Sequence, residues 1–300
     1  DGVGLAETLN SAKDTHKKLR EIKKKLEAED ADSFAGTISK LEGVVNRFDR
    51  IIPRFELAGW ALSFDRPRTF LVVAQNTAQA RATGGAITSV GAITIENGRV
   101  SEIFFDDVYN IDGQLQTKIV PPKPIQRMDT VWSMHNANWF LDFPTSARKM
   151  AYFYQKSRGA HPDGVIAVDE KALERFLKMI GSVELLKYDL TIDDDNFSYL
   201  TAFNVMDEKR AGQAKRVFND FTEALFNKLL ALPEEKIAVF FNLFKESVAR
   251  KESLVWINDQ KHERLISEMG WGGGVPEDSS SDYLALTAAN MDNARGAPPP

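Results

Sequence analysis

Apolar residues at Phe34, Ile38, Leu41, Val45, Phe48 and Ile52 step by four, three, four, three and four. A strand cannot use that spacing. It lays a seam along one face of a helix for nearly three heptads, and such a seam has to be covered by another helix. The preceding residues supply one: Leu5, Leu9, Ala12, Leu19 and Leu26 share a stripe, with His16 in line and Ile22 beside it. Only the short polar stretch EAEDAD separates the two segments, so residues 3–52 read as an antiparallel helical hairpin. His16 reads as a tolerated seam residue. The run HKKLREIKKKLEAED is basic and then acidic, which suits a solvated helix face.

From residue 68 the period changes. RTFLVVAQN reads as a strand buried on both faces, and AITSVGAITI-ENGR-VSEIFF as a β-hairpin turning at Asn97-Gly98. After DDVYNIDGQ, the proline-rich IVPPKPIQ is a connection. SARKMAYFYQKSRG is a helix ending at Gly159, with Thr145 or Ser146 as its N-cap. DGVIAVD is a strand whose Asp169 caps the helix EKALERFLKMIG, and SVELLKYDLTI is extended. Residues 197–250 are mostly helical; SLVWIND and DYLALTAAN read as strands around the helix QKHERLISEMG. The pattern predicts an α/β fold: a layered α-β-α domain with a mixed sheet, preceded by the N-terminal antiparallel helical hairpin. The division expected is 1–55 hairpin, 56–292 α/β domain and 293–300 the start of a linker.

Composition removes several function classes. The net charge of −5 gives no basic excess for nucleic acid. No run approaches the ~18 apolar residues of a membrane helix. With no cysteine, disulfides, Cys-ligated zinc and thiol catalysis are excluded, and none of the four histidines lies at metal-ligand spacing from another. The chain begins with Asp1 rather than Met, so an anchoring segment upstream is expected.

The stretch QNTAQARATGG, residues 75–85, carries the most chemistry. It reads as a strand-end loop bearing Arg81, with Gly84-Gly85 allowing close backbone approach. Ligands gather beyond the carboxyl ends of strands, and a guanidinium there suits a phosphate or carboxylate. In the plainer reading, Arg81 pairs with a carboxylate in a structural turn. Asp106 and Asp107 end the next acidic strand, where one of them could hold Mg²⁺ or both could start a turn.

Together these stretches resemble a bacterial cell-surface family catalogued as the domain of unknown function numbered 4012. The resemblance rests on Gln75-Asn76, Arg81, Thr83-Gly84-Gly85, Asp107-Val108-Tyr109, Asn138-Trp139, Asp142-Phe143-Pro144, Ser146-Ala147 and Asp163–Ala167 with Asp169, and spans about residues 60–290. That family is similar, more distantly, to the envelope glycopolymer transferases of the LytR-CpsA-Psr type, which use arginines for a polyprenyl pyrophosphate and aspartates for Mg²⁺. The resemblance implies Arg81 and Asp107 as catalytic residues, with Asp107 holding Mg²⁺ if a metal is used. It implies Gln75, Asn76, Thr83, Gly84, Gly85 and Tyr109 as substrate-binding. Asp106 stands where those enzymes carry a second arginine. The partner implied is an anionic envelope glycopolymer or polyprenyl-phosphate lipid, bound and possibly transferred outside the cytoplasm by a membrane-anchored surface protein. The other expectation is a non-catalytic surface module for interaction or assembly.

Overall fold

The computed structural model describes residues 2–127, 129–197 and 211–275, with Thr287 and Ala289. The DYLALTAAN strand, the linker at 293–300 and residues 198–210 of the helical stretch lie outside these. By contacts the chain divides into two compact units. One comprises Asp1–Arg68 with Thr94–Ser101, the other Thr69–Ile93 with Glu102–Pro300.

The first unit contains α1 (Gly2–Asp30) and α2 (Ala35–Ala61), which pack on one another. The turn between them is tied by Ser33, whose N–H and Oγ both donate to the Asp30 carboxylate (3.1 and 2.5 Å). The seam forms as the spacing predicts, with Val45 and Ile52 buried and His16 stacked on Phe48 at 5.8 Å. α2 continues through Pro53 to Ala61, past the last seam residue read from the sequence. The tip of the second β-hairpin belongs to this unit: Asn97 N–H donates to Ser63 O and Gly98 N–H to Leu62 O. Both tip residues take positive φ, as the Asn-Gly pair predicts.

The second unit is built on a five-stranded sheet in the order β3-β2-β1-β4-β7. Its strands are β1 (Arg68–Arg81), β2 (Gly84–Glu96), β3 (Arg99–Asp107), β4 (Gly164–Asp169) and β7 (Ser253–Ile257). β1 and β4 run parallel, Leu71 opposite Val165 and Gln75 opposite Asp169, while β4 and β7 are antiparallel. Asp163 anchors the starting edge: its carboxylate accepts from Thr69 N–H, its N–H donates to Thr69 O, and its carbonyl accepts from Asn258 N–H.

Alternation along the strands makes the layers. Leu71, Val73, Val165, Ala167, Leu254 and Trp256 face α4 (Phe143–Arg158) through Phe143, Ala147, Met150 and Ala151. The opposite face of β4 meets α5 (Glu170–Ile180). This is the layered α-β-α arrangement with a mixed sheet. Around it lie the short α3 (Val108–Gly113), a small hairpin of β5 (Val183–Leu185) and β6 (Leu190–Ile192), then α6 (Ala211–Leu230), α7 (Glu234–Ala249) and α8 (Gln260–Glu268).

Three local expectations are corrected. Gln75 to Arg81 is not a loop, because β1 runs unbroken to Arg81 and only Ala82-Thr83 separate it from β2. The cap of α4 is Asp142 rather than Thr145 or Ser146. Its carboxylate accepts from the Thr145 N–H, which leaves Pro144 in the first turn, where a missing donor costs nothing. SVELLKYDLTI is not one extended stretch: it breaks at the 3-10 turn Leu186–Tyr188, and Asp189, at φ 50°, starts the return.

Candidate functional site

The Gln75…Thr83-Gly84-Gly85 motif forms a buried polar knot. Gln75 Nε2 donates to Thr83 Oγ1 (3.1 Å), and its Oε1 accepts from the Gly85 N–H (3.2 Å). Asn138, wholly buried, donates through Nδ2 to Thr83 Oγ1 (3.1 Å) and to Gly85 O (2.7 Å). Asn76 Oδ1 accepts from Ala78 N–H (2.8 Å), a local turn contact within β1. The Gly85 amide is therefore engaged by Gln75 rather than bare. The glycine is required for another reason: a Cβ there would lie 2.0 Å from Asn76 O and 2.2 Å from its carbonyl carbon. Gly84 sits at φ +134°, a conformation that favours glycine. These residues hold the β1–β2 hairpin against the segment carrying Asn138.

Arg81, at the end of β1, leaves that knot for a second, more open cluster. Its guanidinium donates to Ala80 O (3.0 Å) and, at 3.4 Å, to Asn136 Oδ1. Burial lowers its pKa from the usual arginine value, opposed by the charges of Tyr109 and Asp129. Tyr109 lies at the start of α3, 54% exposed, its ring 5.3 Å from that of His135. Burial first, and then the carboxylates of Asp107, Asp129 and Asp112, push the Tyr109 hydroxyl up, with Arg81 acting against them. So Arg81, Tyr109 and Asp107 do share a neighbourhood. Asp107 itself caps α3, accepting from the Tyr109 N–H at 2.8 Å. Asp106 pairs with Arg158 at 3.2 Å.

At the centre of this neighbourhood is an imidazole held by two carboxylates. His135 Nδ1 lies 2.6 Å from Asp112 Oδ2, and Nε2 lies 3.1 Å from Asp129 Oδ2. Asp112 also accepts from the Met134 N–H (2.6 Å) and from Ser133 Oγ (2.9 Å), while Asp129 accepts from Asn136 Nδ2 (2.5 Å). Burial would lower the His135 pKa, but the hydrogen bond and charge of Asp112, joined by Asp129, leave it raised. The sign follows: a raised folded pKa contributes stability below the unfolded value near 6.5, and that stability is lost as pH rises through the folded pKa. Ser133 is no activated nucleophile here. Its Oγ and Asp112 share the Nδ1 side of the ring, and Asp129 occupies the Nε2 edge from which a catalytic base would act.

Sequence reasoning passed over Asp112, Asp129, His135 and Asn136. The available signal was composition: Ser133, His135 and Asn136 sit among Trp132, Met134 and Trp139, and polar groups in so apolar a stretch must find partners.

Glu170, which follows Asp169 at the end of β4, holds Thr77 Oγ1 at 3.2 Å. Burial pushes its carboxyl up to about 7, against the hydrogen bonds from Thr77.

Among the described residues no group of three or more His, Cys, Asp or Glu is placed to hold a metal ion. Asp107, the expected Mg²⁺ ligand, has one oxygen in the helix cap, where it accepts from the Tyr109 N–H. No described helix is long and apolar enough to cross a membrane.

No curated protein matches the chain. Among solved structures, similar ones include the transcriptional regulator yvhJ from Bacillus subtilis, at 10% identity over 68% of this chain and 76% of that one, with a TM-score of 0.35. B. subtilis TagV is similar at 10% identity over 69% and 80%, with a TM-score of 0.37. A putative transcription regulator from Eubacterium siraeum is similar at 10% identity over 72% and 85%, with a TM-score of 0.34. Overlap this loose carries no weight for fold or function. Residues 65–205, which hold the Gln75, Thr83-Gly84-Gly85, Asn138 and Asp142 motifs, match the family described as "Protein of unknown function (DUF4012)".

Proposed function

We propose that the chain is the extracytoplasmic part of a bacterial envelope protein that binds an anionic glycopolymer without transferring it. The observation that carries this reading is the company Arg81 keeps. Its guanidinium is partly desolvated beside Asp129, Asn136 and the half-exposed Tyr109. A transferase acting on a pyrophosphate needs an excess of cations to balance charge in the transition state. Around Arg81 and His135, whose pKa is raised by Asp112 and Asp129, stand three carboxylates, Asp107, Asp112 and Asp129. That balance is unfavourable for a pyrophosphate. It suits a polymer that offers many hydroxyls and isolated charges. Carboxylates accept from sugar hydroxyls, the Tyr109 ring presents an amphipathic face, and Arg81 meets one anionic group. No chemical step through Mg²⁺ is part of this reading. Localisation and anchoring come from the sequence resemblance.

Calorimetric titration with a soluble poly(glycerol phosphate) glycopolymer fragment tests it. Arg81→Ala should weaken binding by about 10-fold, as expected for one charge-assisted contact of roughly 1.4 kcal/mol. The melting temperature should stay nearly unchanged, because the knot that holds the hairpin does not include this side chain. Wild-type protein given a polyprenyl-pyrophosphate-linked oligosaccharide and Mg²⁺ should release no polyprenyl phosphate. Release would replace the binding reading by transfer. A loss of stability with no change in binding would make Arg81 structural.

A further inference from the structure

Charge is unevenly placed in the second unit. Residues 114–127 and 143–158 contain seven lysines and arginines and no aspartate or glutamate, in a chain whose net charge is −5. The later stretch is α4, and the earlier one is the proline-rich connection that follows α3. They meet at Trp132, whose N–H donates to Ile119 O (2.7 Å) and whose ring lies edge to face with Phe153 of α4, 5.5 Å between centroids. The acids nearest α4 are engaged at its ends. Asp142 caps its start, with Arg148 at 4.0 Å and Glu263 beside them, and Asp106 pairs with Arg158 at 3.2 Å.

Lys149 and Lys156 differ from these two arginines. Among the described residues neither lysine is ion-paired, and both lie over rings instead. Lys149 Nζ is 5.3 Å from the Trp132 ring centroid and 5.8 Å from that of Tyr152, while Lys156 Nζ is 5.6 Å from Tyr152. The lysines stand three residues before and four residues after Tyr152, so the three side chains share one stripe of the helix. Tyr152 is half-buried, its ring resting on that of Phe153 at 5.6 Å. A ring face orients an ammonium without neutralising it, and an ammonium has three donors, so N–H groups remain for an anion. A carboxylate neighbour would have cancelled that charge.

We infer that the Lys149–Tyr152–Lys156 stripe is a second contact for the anionic glycopolymer, its ammonium groups meeting separate phosphodiesters and its ring packing on the polyol between them. The inference rests on the glycopolymer-binding reading given above. Seven residues of helix separate the lysines by about 10 Å along the axis, so a single phosphate cannot serve both, whereas a chain of phosphates can. Trp132 joins this stripe to the first contact. Its ring carries Lys149, its Nε1 donates to Asn136 O (2.9 Å), and Asn136 Oδ1 accepts from Arg81. On the connection, Lys118, Lys123 and Arg127 are all exposed and add charge of the same sign. Two contacts on one polymer make the second binding event intramolecular, which raises affinity without any stronger single contact.

The test is calorimetric titration of the 300-residue chain with a long poly(glycerol phosphate) fragment. Lys149→Gln with Lys156→Gln should weaken binding about 10-fold, as expected for two exposed charge contacts, with unchanged far-UV circular dichroism. Lys149→Arg with Lys156→Arg keeps both charges and should bind as the wild type does. Equal weakening in the arginine pair would show that charge is not what acts, and would overturn the inference. A glutamine pair that binds like wild type, while Arg81→Ala binds more weakly, would overturn it and leave the Arg81 reading standing. The reverse pattern would keep the stripe and remove Arg81. Flotation with phosphatidylglycerol vesicles that the glutamine pair abolishes, with polymer binding unchanged, would assign the stripe to a lipid surface and equally overturn the inference.

Discussion

Gly85→Ala should abolish stable folding of the sheet unit, with a loss of about 4 kcal/mol or more. The added methyl would stand 2.0 Å from Asn76 O, 2.2 Å from Asn76 C and 2.6 Å from Thr77 N. All three atoms are backbone, so no rotamer change relieves the overlap. The chain would have to separate β1 from β2, and with them the Gln75, Thr83 and Asn138 hydrogen bonds. Losses of this size are uncommon for single substitutions and take a large share of the 5–15 kcal/mol typical of a domain. Gly84→Ala is the informative comparison, because there the nearest atom is Gln75 Oε1 at 2.6 Å, on a side chain that can move. Its cost should be smaller, of the order of the 1–3 kcal/mol expected for a non-glycine residue in a sparsely populated conformation. Urea unfolding followed by circular dichroism reads both. A Gly85→Ala midpoint close to wild type would mean that the hairpin is not held at this contact.

Glu170→Gln should have the opposite sign, and only above acid pH. The Glu170 carboxyl is raised from 4.5 to about 7 by burial, so folding takes up a proton between those values. Below pH 4.5 the group is protonated in both states and the substitution should change nothing. Through pH 4.5–7 the wild-type protein loses stability as the folded carboxyl is forced to ionise. Above 7 the deficit is constant. A shift of this size corresponds to about 3 kcal/mol, reduced somewhat by residual solvent access, so Glu170→Gln should stabilise by about 2–3 kcal/mol at pH 8. The amide can keep the contact with Thr77. Glu263, also raised to about 7 by burial, adds the same trend to both proteins, so their difference isolates Glu170. Equal effects at pH 4 and pH 8 would show that the side chain acts by packing instead.

Elements whose hydrophobic period is unbroken were legible in the sequence. The four-three steps of α2, the run Phe70–Ala74, the Asn97-Gly98 turn and the Asp169 cap all appear where their residues predict. Such signals are local: a face, a positive φ, a carboxylate next to a free amide. The site was less legible because its geometry is made by pairs distant in sequence. Gln75 to Arg81 has no alternation to mark it as strand, and its register depends on Gln75 meeting Gly85 and on Asn138, 53 residues further on. The Asp112–His135 pair is separated by 23 residues and a proline-rich connection without periodic structure. Arg81 was found because a cation at the end of an apolar run is unusual. What surrounds it had no such mark. At α4 the misplaced cap has a plain cause: Pro144 belongs in the first turn, which moves the cap back to Asp142.

The central claim is that Arg81 and Tyr109 form one recognition face for an envelope glycopolymer. Side-chain NMR of the wild-type chain, titrated with the poly(glycerol phosphate) fragment, tests it most directly. The account predicts saturable shifts in the Arg81 guanidinium and the Tyr109 ring, with the buried Gln75 and Asn138 amides unmoved. No shift at millimolar fragment, or shifts that leave these two groups untouched while others respond, would contradict it.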